Sequence, residues 1–394
     1  MDLNDSPELA AYRAQVREWL DTHGEQAPRV RGSGALAPSE RAPAWRAWQA
    51  LLHAHGLVGL TWPIPHGGQG LGPEHQLVVN QELERAGVPG VFDAVGINML
   101  GPAIIAHGSE AQRKRFLPPL LEGRDVWCQL FSEPEAGSDL AAIHTRATRE
   151  PNGAWAVSGQ KVWTTNAHHA AFGLMLARTD PAAHRHKGLT MFVVPMTAAG
   201  VGVRPLRQLS GEARFNEVFL DSVELDADAV VGEVNRGWNV AMDTLNHERV
   251  AIALDASRFG WRAEAFAAAI AQDPVAAEDR EAMRVLGAVA SELLAVRCAG
   301  YRTVTSMAEG HGPDPLTGLT KVTAINAATR AADLVADVLG LEALAGEDWG
   351  RLISDLPGLK SAGGTEEIVR NVIGERVLGL PREPREPREP REPR

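Results

Sequence analysis

The sequence predicts an α+β protein built as an N-terminal helical domain, a middle antiparallel β domain and a C-terminal helical bundle. Three observations carry this. Over residues 1–126 apolar side chains recur at helical spacing, as in Leu9, Tyr12, Val16 and Leu20. From 127 to 230 short runs such as AWAVSGQKVWTT, FGLMLARTD, GLTMFVVPM and FNEVFLDSVEL read as strands, punctuated by Pro151-Asn152-Gly153 and Asp180-Pro181. No long helical pattern separates these runs, which argues against a parallel α/β sheet. Over residues 231–380 the helical pattern returns, in NVAMDTLNHERVAIALDAS and near 279–306, 315–340 and 365–379, and four such segments with alanine-rich faces predict a four-helix bundle. The end, residues 381–394, repeats Pro, Arg and Glu; proline at every third position blocks helix and ladder alike, so a disordered or polyproline-like tail is expected.

A chain of 394 residues is long enough for two or three domains and a large core. Its net charge of −11 gives no field that attracts nucleic acid or an anionic membrane, so an anionic ligand must be held by local donors. The two cysteines, Cys128 and Cys298, have neither metal spacing nor a disulfide framework, and suit a reducing cytoplasm. The first residues lack a basic region followed by an apolar one, and no apolar run is long enough to cross a bilayer. Neither His-Glu-x-x-His nor a P-loop occurs, so no metal site is expected, and His168, His169, His184 and His186 read as solvated surface. Gly68, Gly70 and Gly72 lack the strand and helix of a nucleotide-binding unit, and a packed turn accounts for them.

Residues 127–165 stand out chemically. WCQLFSEPEAGSDLAAIHT begins as a strand and opens at Pro134 into a loop whose Gly137-Ser138-Asp139 is rich in donors. SGQKVWTTNAHHA follows, with one aromatic, Trp163, beside two hydroxyls. A planar anionic cofactor needs such a set, with donors for ring edges and phosphates and an aromatic wall for one face. Each motif alone is equally served by a core tryptophan and an ordinary turn.

Together the segments resemble the flavin-binding segments of the acyl-CoA dehydrogenase family, whose Glu-Pro-x-Ala-Gly-Ser-Asp pattern is present as Glu133 to Asp139 and whose Lys-x-Trp-x-Thr is present as Lys161 to Thr165. The Gly-Leu-Thr-Trp-Pro stretch near 59–63, the Glu82-Leu83 helix and the run from Gly96 to Gly123 resemble its N-terminal domain, and the likeness reaches Leu380. The resemblance implies a β-barrel in the middle and bound FAD, with cofactor contacts at Gln129, Leu130, Phe131, Ser132, Gly137, Ser138, Trp163, Thr164, Thr165, Gly364 and Thr365. It also places the helix around Ile97 to Ile105 beside an acyl pocket, although Met99, Leu100 and Ile104 serve equally as plain core.

The family reaction removes a proton from the carbon next to a thioester carbonyl and passes a hydride from the following carbon to flavin, giving a 2-enoyl thioester. A carboxylate in a dry pocket is the natural base. The family places it either before a Gly-Thr near the C-terminus or on the first helix of the bundle. Gly363 occupies the first position in Ser361-Ala362-Gly363-Gly364-Thr365, which leaves Glu248, in His247-Glu248-Arg249-Val250, as the base implied by resemblance. At roughly 100° per residue Glu248 falls about 60° from the face shared by Trp238, Leu245 and Ile252, an edge position that also suits a solvated glutamate. Ser138, Arg249 and the Gly363 N–H are the implied substrate contacts, with an exposed arginine the plain alternative for Arg249. Glu366 and Glu367 sit at a predicted helix start, where the dipole favours carboxylates.

Two family elements that reach a neighbouring subunit's FAD, Arg-x-x-Phe-Gly and Gly-Gly-Asn-Gly, are absent from the corresponding AQDPVAAEDREAM and DVLGLEALAGEDW. This pattern is similar to a bacterial branch of the family in which two different chains assemble and share sites, often for bulky substrates such as steroid side chains. The implied partners are an acyl-CoA or acyl-carrier thioester, an electron-transfer flavoprotein, and a second copy or a related subunit. Two alternatives remain open: a non-catalytic or half-site subunit of a heteromeric enzyme, and a flavin monooxygenase or oxidase on the same fold.

Overall fold

The computed structural model describes residues 4–29, 38–254, 256–311, 316–340 and 347–381. The predicted tail from residue 382 and residues 341–346 of the second absent family element lie outside the described residues.

Among the described residues five helices come first: α1 (Pro7–His23), α2 (Pro38–Ala54), α3 (Pro73–Arg85), α4 (Gly101–His107), entered through a π-helical turn at Gly96–Leu100, and α5 (Glu110–Leu121). Their starts follow capping chemistry. The Ser6 hydroxyl accepts from the Leu9 N–H of α1, and Ser109 and Gln112 form a reciprocal capping box on α5. Buried Glu82 of α3 accepts from Arg13 and Arg17 of α1 and from Arg85; burial pushes its carboxyl up, yet the guanidinium groups win and hold it at about 2. The glycine-rich stretch before α3 is a packed turn. A Cβ on Gly68 would lie 2.1 Å from the Trp62 carbonyl oxygen, so only glycine fits there.

Eight strands follow: β1 (Trp127–Leu130), β2 (Arg146–Arg149), β3 (Trp155–Thr165), β4 (Phe172–Arg178), β5 (Leu189–Pro195), β6 (Val201–Leu206), β7 (Phe215–Leu225) and β8 (Val230–Val231). They form one sheet in the order β6-β7-β3-β2-β4-β5-β8, with β1 also paired to β4. Most pairings are antiparallel, as expected, but β1 and β2 each run parallel to β4. Residues 131–171 separate β1 from β4, a connection long enough for a parallel return, and it carries β2 and β3 on the way. One sheet face joins the N-terminal helices in a continuous core that includes Trp48, Leu100, Ile104, Leu117, Trp127, Phe131, Leu174 and Met191; Met99 belongs to it as well. The other face closes over Cys128, Leu130, Val157, Phe192 and Val218.

The last part contains α6 (Gly237–Leu254), α7 (Ala256–Gln272), α8 (Pro274–Glu278), α9 (Arg280–Ala308), α10 (Thr317–Leu339), α11 (Glu347–Ser361) and α12 (Glu366–Arg376). The bundle proper is α6, α7, α9 and α10, so its fourth member is α7 and not the last helix, which packs on α10 from outside. Ala263, Phe266 and Ile270 recur at helical spacing and are buried against Val289, Leu293, Ala328 and Val335, which is why α7 takes the central place.

Asp93, fully buried, fastens the helical part to the sheet. Its carboxylate accepts from the Gly96 N–H at 2.8 Å and from the Trp127 N–H, the first residue of β1, at 2.6 Å, while its own N–H donates to Gln49 at 3.0 Å. Burial raises its pKa from 3.8 to about 7 against the pull of those two donors. Asp93→Ala leaves both N–H groups without acceptors and is expected to cost roughly 2–5 kcal/mol, read as a lower denaturation midpoint. The folded state holds the Asp93 proton to higher pH than the unfolded chain, so this group's contribution to stability falls as pH rises from about 4 to about 7. Asp93→Asn should flatten that slope in denaturation curves taken across the interval, and an unchanged slope would assign it elsewhere.

Candidate active site

The two singled-out segments meet at one buried lysine. Alternation along β3 turns Lys161 inward, where its ammonium donates to Glu133 Oε1 at 2.9 Å, to the Phe131 carbonyl at 3.1 Å and to the Leu176 carbonyl of β4 at 2.7 Å. Glu133 also accepts from the His144 and Thr145 N–H groups. Burial pushes the Glu133 carboxyl up, but the Lys161 charge and these donors bring it below the usual carboxylate range, while burial lowers the Lys161 ammonium. The Val162 N–H donates to the Ser132 carbonyl at 2.9 Å, so the loop after β1 lies along β3.

Beyond Lys161 the strand bulges. Lys161 pairs with Val218 and Thr164 with Asn216, three steps on β3 against two on β7, so β3 carries one extra residue. Trp163 sits in that bulge with a φ of 58° and is 62 % exposed, its ring edge-on to Phe215 at 6.1 Å. A tryptophan held outward in the left-handed region, strained by about 1–3 kcal/mol, presents a flat apolar face to whatever docks beside β3. Two buried polar atoms nearby have no protein partner: Gln129 Nε2 on β1 and Thr164 Oγ1 on β3. Ser132 and Thr165 are half-buried, Gly137 and Ser138 exposed. An exposed ring, unpaired donors and an open glycine-serine loop fit a flavin. Leu130 and Phe131 are buried in the cores on opposite sheet faces, which leaves their main chain as the part available to a ligand.

A second cluster lies on α6. Glu248 is half-buried, and a Cβ built on Gly363 would stand 3.4 Å from its Oε1 and 2.8 Å from Ile252 Cδ1. Gly363 and Gly364 have φ of 66° and 89°, the chain reversal between α11 and α12. Burial raises the Glu248 pKa, with Lys321 and Arg249 pulling it back. Half-buried Arg249 donates to Asn246 at 3.0 Å. Thr365 accepts from the Ile368 N–H as N-cap of α12, and Glu366 bonds Asn326 and Arg370, so these residues behave as a helix start. Gly364 is exposed, and its carbonyl accepts from Lys321.

One of the histidines read as solvated is half-buried: His169 lies 5.8 Å from Phe92, and burial first, then His168 and Arg46, lower it to about 4. His186 is exposed and meets Trp238 edge-on at 4.5 Å. Sequence reading missed the partners of Lys161 and all of Lys321. The signal for Lys321 was present: at helical spacing it shares a face with Ala324, Ile325, Ala328, Ala331 and Val335, all buried. Among the described residues no group of three or more His, Cys, Asp or Glu is arranged to hold a metal, and no helix is long and apolar enough to cross a membrane.

Comparison with known proteins decides the family. Residues 6–124, 128–223 and 235–378 match the N-terminal, middle and C-terminal domains of acyl-CoA dehydrogenases. The chain belongs to the acyl-CoA dehydrogenase family. Acyl-CoA dehydrogenase IpdE1 of Mycolicibacterium smegmatis is 38 % identical over 95 % of this chain and 99 % of its own length, and IpdE1 of Mycobacterium tuberculosis is also 38 % identical, with the same coverage. Among solved structures, the Tcur3481-Tcur3483 steroid ACAD superposes with a TM-score of 0.82 at 28 % identity, covering 97 % of this chain and 100 % of that one. The ChsE4-ChsE5 complex from Mycobacterium tuberculosis gives 0.81 at 27 % identity, covering 97 % and 100 %. This acyl-CoA dehydrogenase is thus an oxidoreductase acting on CH–CH groups, in a family whose members are generally FAD-dependent.

Lys161→Met strips the charge from Glu133 and leaves a buried carboxylate unpaired, at an expected cost of about 3–5 kcal/mol. A drop of that size in unfolding free energy, measured by denaturant titration of the flavin-free protein, checks it; a loss below about 1 kcal/mol would show that the junction relaxes without the lysine.

Proposed function

We propose that the chain is an FAD-dependent acyl-CoA dehydrogenase in which Glu248 takes the α-proton of an acyl thioester while the β-hydride passes to flavin, leaving a 2-enoyl thioester. The observation that carries this reading is the place of Gly363. The family's C-terminal base would project from that position, and its Cβ would stand 3.4 Å from the Glu248 carboxylate. A carboxylate from α6 therefore occupies the space that the loop leaves empty. Half-burial suits the task, because a base poised above the ordinary carboxylate range holds the abstracted proton more readily.

Gln129, Ser132, Gly137, Ser138, Thr164 and Thr165 would hold the flavin, with Leu130 and Phe131 offering main chain, Trp163 covering one ring face, and Gly364 and Thr365 contributing from the α12 start. When bound, FAD supplies the hydride acceptor, and electrons leave to an electron-transfer flavoprotein. Ser138, Arg249 and the Gly363 N–H would receive the thioester. A steroid-type acyl-CoA is the substrate class to test first, resting on the likeness to the Tcur3481-Tcur3483 steroid ACAD. The same comparison, the ChsE4-ChsE5 complex and the two missing adenosine-side elements favour assembly with a related subunit. Purified alone, a half-site chain would be colourless and inert to substrate; a yellow, substrate-reducible protein refutes that reading.

Glu248→Gln should abolish reductive bleaching of the flavin in anaerobic titration with acyl thioesters, by at least about 1,000-fold in rate, while flavin stays bound. Bleaching at the wild-type rate removes Glu248 as base. In the wild type the acid limb of kcat/KM should lie above the ordinary carboxylate value, since activity needs ionised Glu248 and burial raises its pKa. Trp163→Gly relieves a left-handed backbone and exposes little new surface, so the flavin-free protein should lose no stability, while flavin retention through gel filtration falls.

A further inference from the structure

Lys321 of α10 is 4 % exposed, and its described bonds all go to main-chain carbonyls: those of Lys360 at 3.4 Å, of Ala362, and of Gly364 at 2.5 Å. A buried ammonium is costly unless its donors are all satisfied, so its presence on an otherwise apolar helix face calls for an account. The carbonyls it collects belong to the end of α11 and the reversal beyond it, where a helix leaves acceptors without partners and where a cation meets the negative end of the dipole. Two adjacent glycines in the left-handed region form that reversal, and unclamped glycines are the freest part of any chain. Five residues further along α10, Asn326 donates to Glu366 at 3.3 Å, a second grip from the same helix, on the first residue of α12 just past the reversal.

We propose that Lys321 is a positioning residue of the active site, which clamps the 360–364 reversal so that Gly363 stays against the Glu248 carboxylate and which sets the charge environment of that carboxylate. This rests on the reading of Glu248 as base. The groups that act on Glu248 come from each packed element. The charge of Lys321 acts on it from α10 and Arg249 adjoins it on α6; Glu366 of α12 acts on Lys321 and Arg376 of α12 on Arg249. His247 on α6 is tied to Asp243 at 3.9 Å, and Asp243 in turn to His107 of α4 at 3.0 Å. Lys321 and Arg249 are the two cations that counter burial at Glu248, so loss of Lys321 makes ionisation of Glu248 harder.

The test compares Lys321→Gln and Lys321→Arg with wild type and with Glu248→Gln. In flavin-loaded enzyme the acid limb of kcat/KM should move up by about one pH unit in Lys321→Gln and return toward wild type in Lys321→Arg. In flavin-free protein, amide hydrogen exchange of residues 360–366 should quicken at least about 10-fold in Lys321→Gln, a readout independent of turnover. An acid limb unmoved in a folded Lys321→Gln, or unchanged exchange of that segment, overturns the proposal. If Lys321→Gln does not accumulate as folded protein, Lys321→Arg decides alone: its planar fork cannot meet three converging carbonyls as an ammonium does, so faster exchange at 360–366 supports the clamp and wild-type exchange with wild-type kcat and KM overturns it. Persistent flavin reduction in Glu248→Gln would instead refute the base assignment itself, which keeps the two failures apart.

Discussion

The ion pair between Lys161 and Glu133 is the contact on which the candidate ligand face of the sheet depends. A single ammonium gathers the Glu133 carboxylate, the Phe131 carbonyl and the Leu176 carbonyl, so the loop after β1, the middle of β3 and the centre of β4 have one relative position. A pair buried this deeply adds little net stability over a packed apolar pair, because desolvation consumes much of the attraction. Its contribution is geometric. With Lys161 pointing inward, the bulge that follows must carry Trp163 outward, and the Val162 bond to Ser132 holds the glycine-serine loop beside that ring.

The same device recurs in the helical part. Lys321, like Lys161, is a lysine on the buried face of a regular element whose ammonium gathers main-chain carbonyls from neighbouring segments. Ligand sites require glycine-rich loops, because only those leave main-chain donors uncovered, and such loops lack side chains with which to hold themselves. A long flexible amine delivered from a rigid helix or strand supplies three donors in a small volume, which suits it to bind a loop whose only handles are carbonyl oxygens.

The order of helices, strands and helices was legible in the sequence because the two periodicities differ sharply and turn residues mark the changes. Pairing was less so. Parallel contact of β1 and β2 with β4 depends on where a strand lands, and the local pattern of Trp127–Leu130 is the same in either direction. The central bundle helix α7 was passed over although Ala263, Phe266 and Ile270 announced its buried face, since alanine-rich stretches carry a weak apolar signal. At the candidate site, the donors and the aromatic were visible as residue types, and so was Glu248. Hidden were the destinations of Lys161 and Lys321: a lysine is read as surface by default, and only its register on a buried face says otherwise.

Under the proposed reading, the base changes its place in the sequence, from residue 363 to residue 248, without changing its place in the molecule. What proton abstraction requires is an ionised oxygen near one carbon in a poorly hydrated space; the backbone to which that oxygen is attached is immaterial to the chemistry. Here the reversal between α11 and α12 and the middle of α6 face each other across a gap that admits one side chain. A Cβ on Gly363 would press within 2.8 Å of Ile252, and its φ of 66° disfavours any side chain, so that gap is filled from the helix. The exchange has a physical consequence. A glutamate on a helix is fixed by the helix, whereas the loop opposite, now two glycines, must be fixed by something else. Lys321 donates to three carbonyls of that segment, and on the proposed reading the glycine at 363 and the buried lysine at 321 are parts of one arrangement.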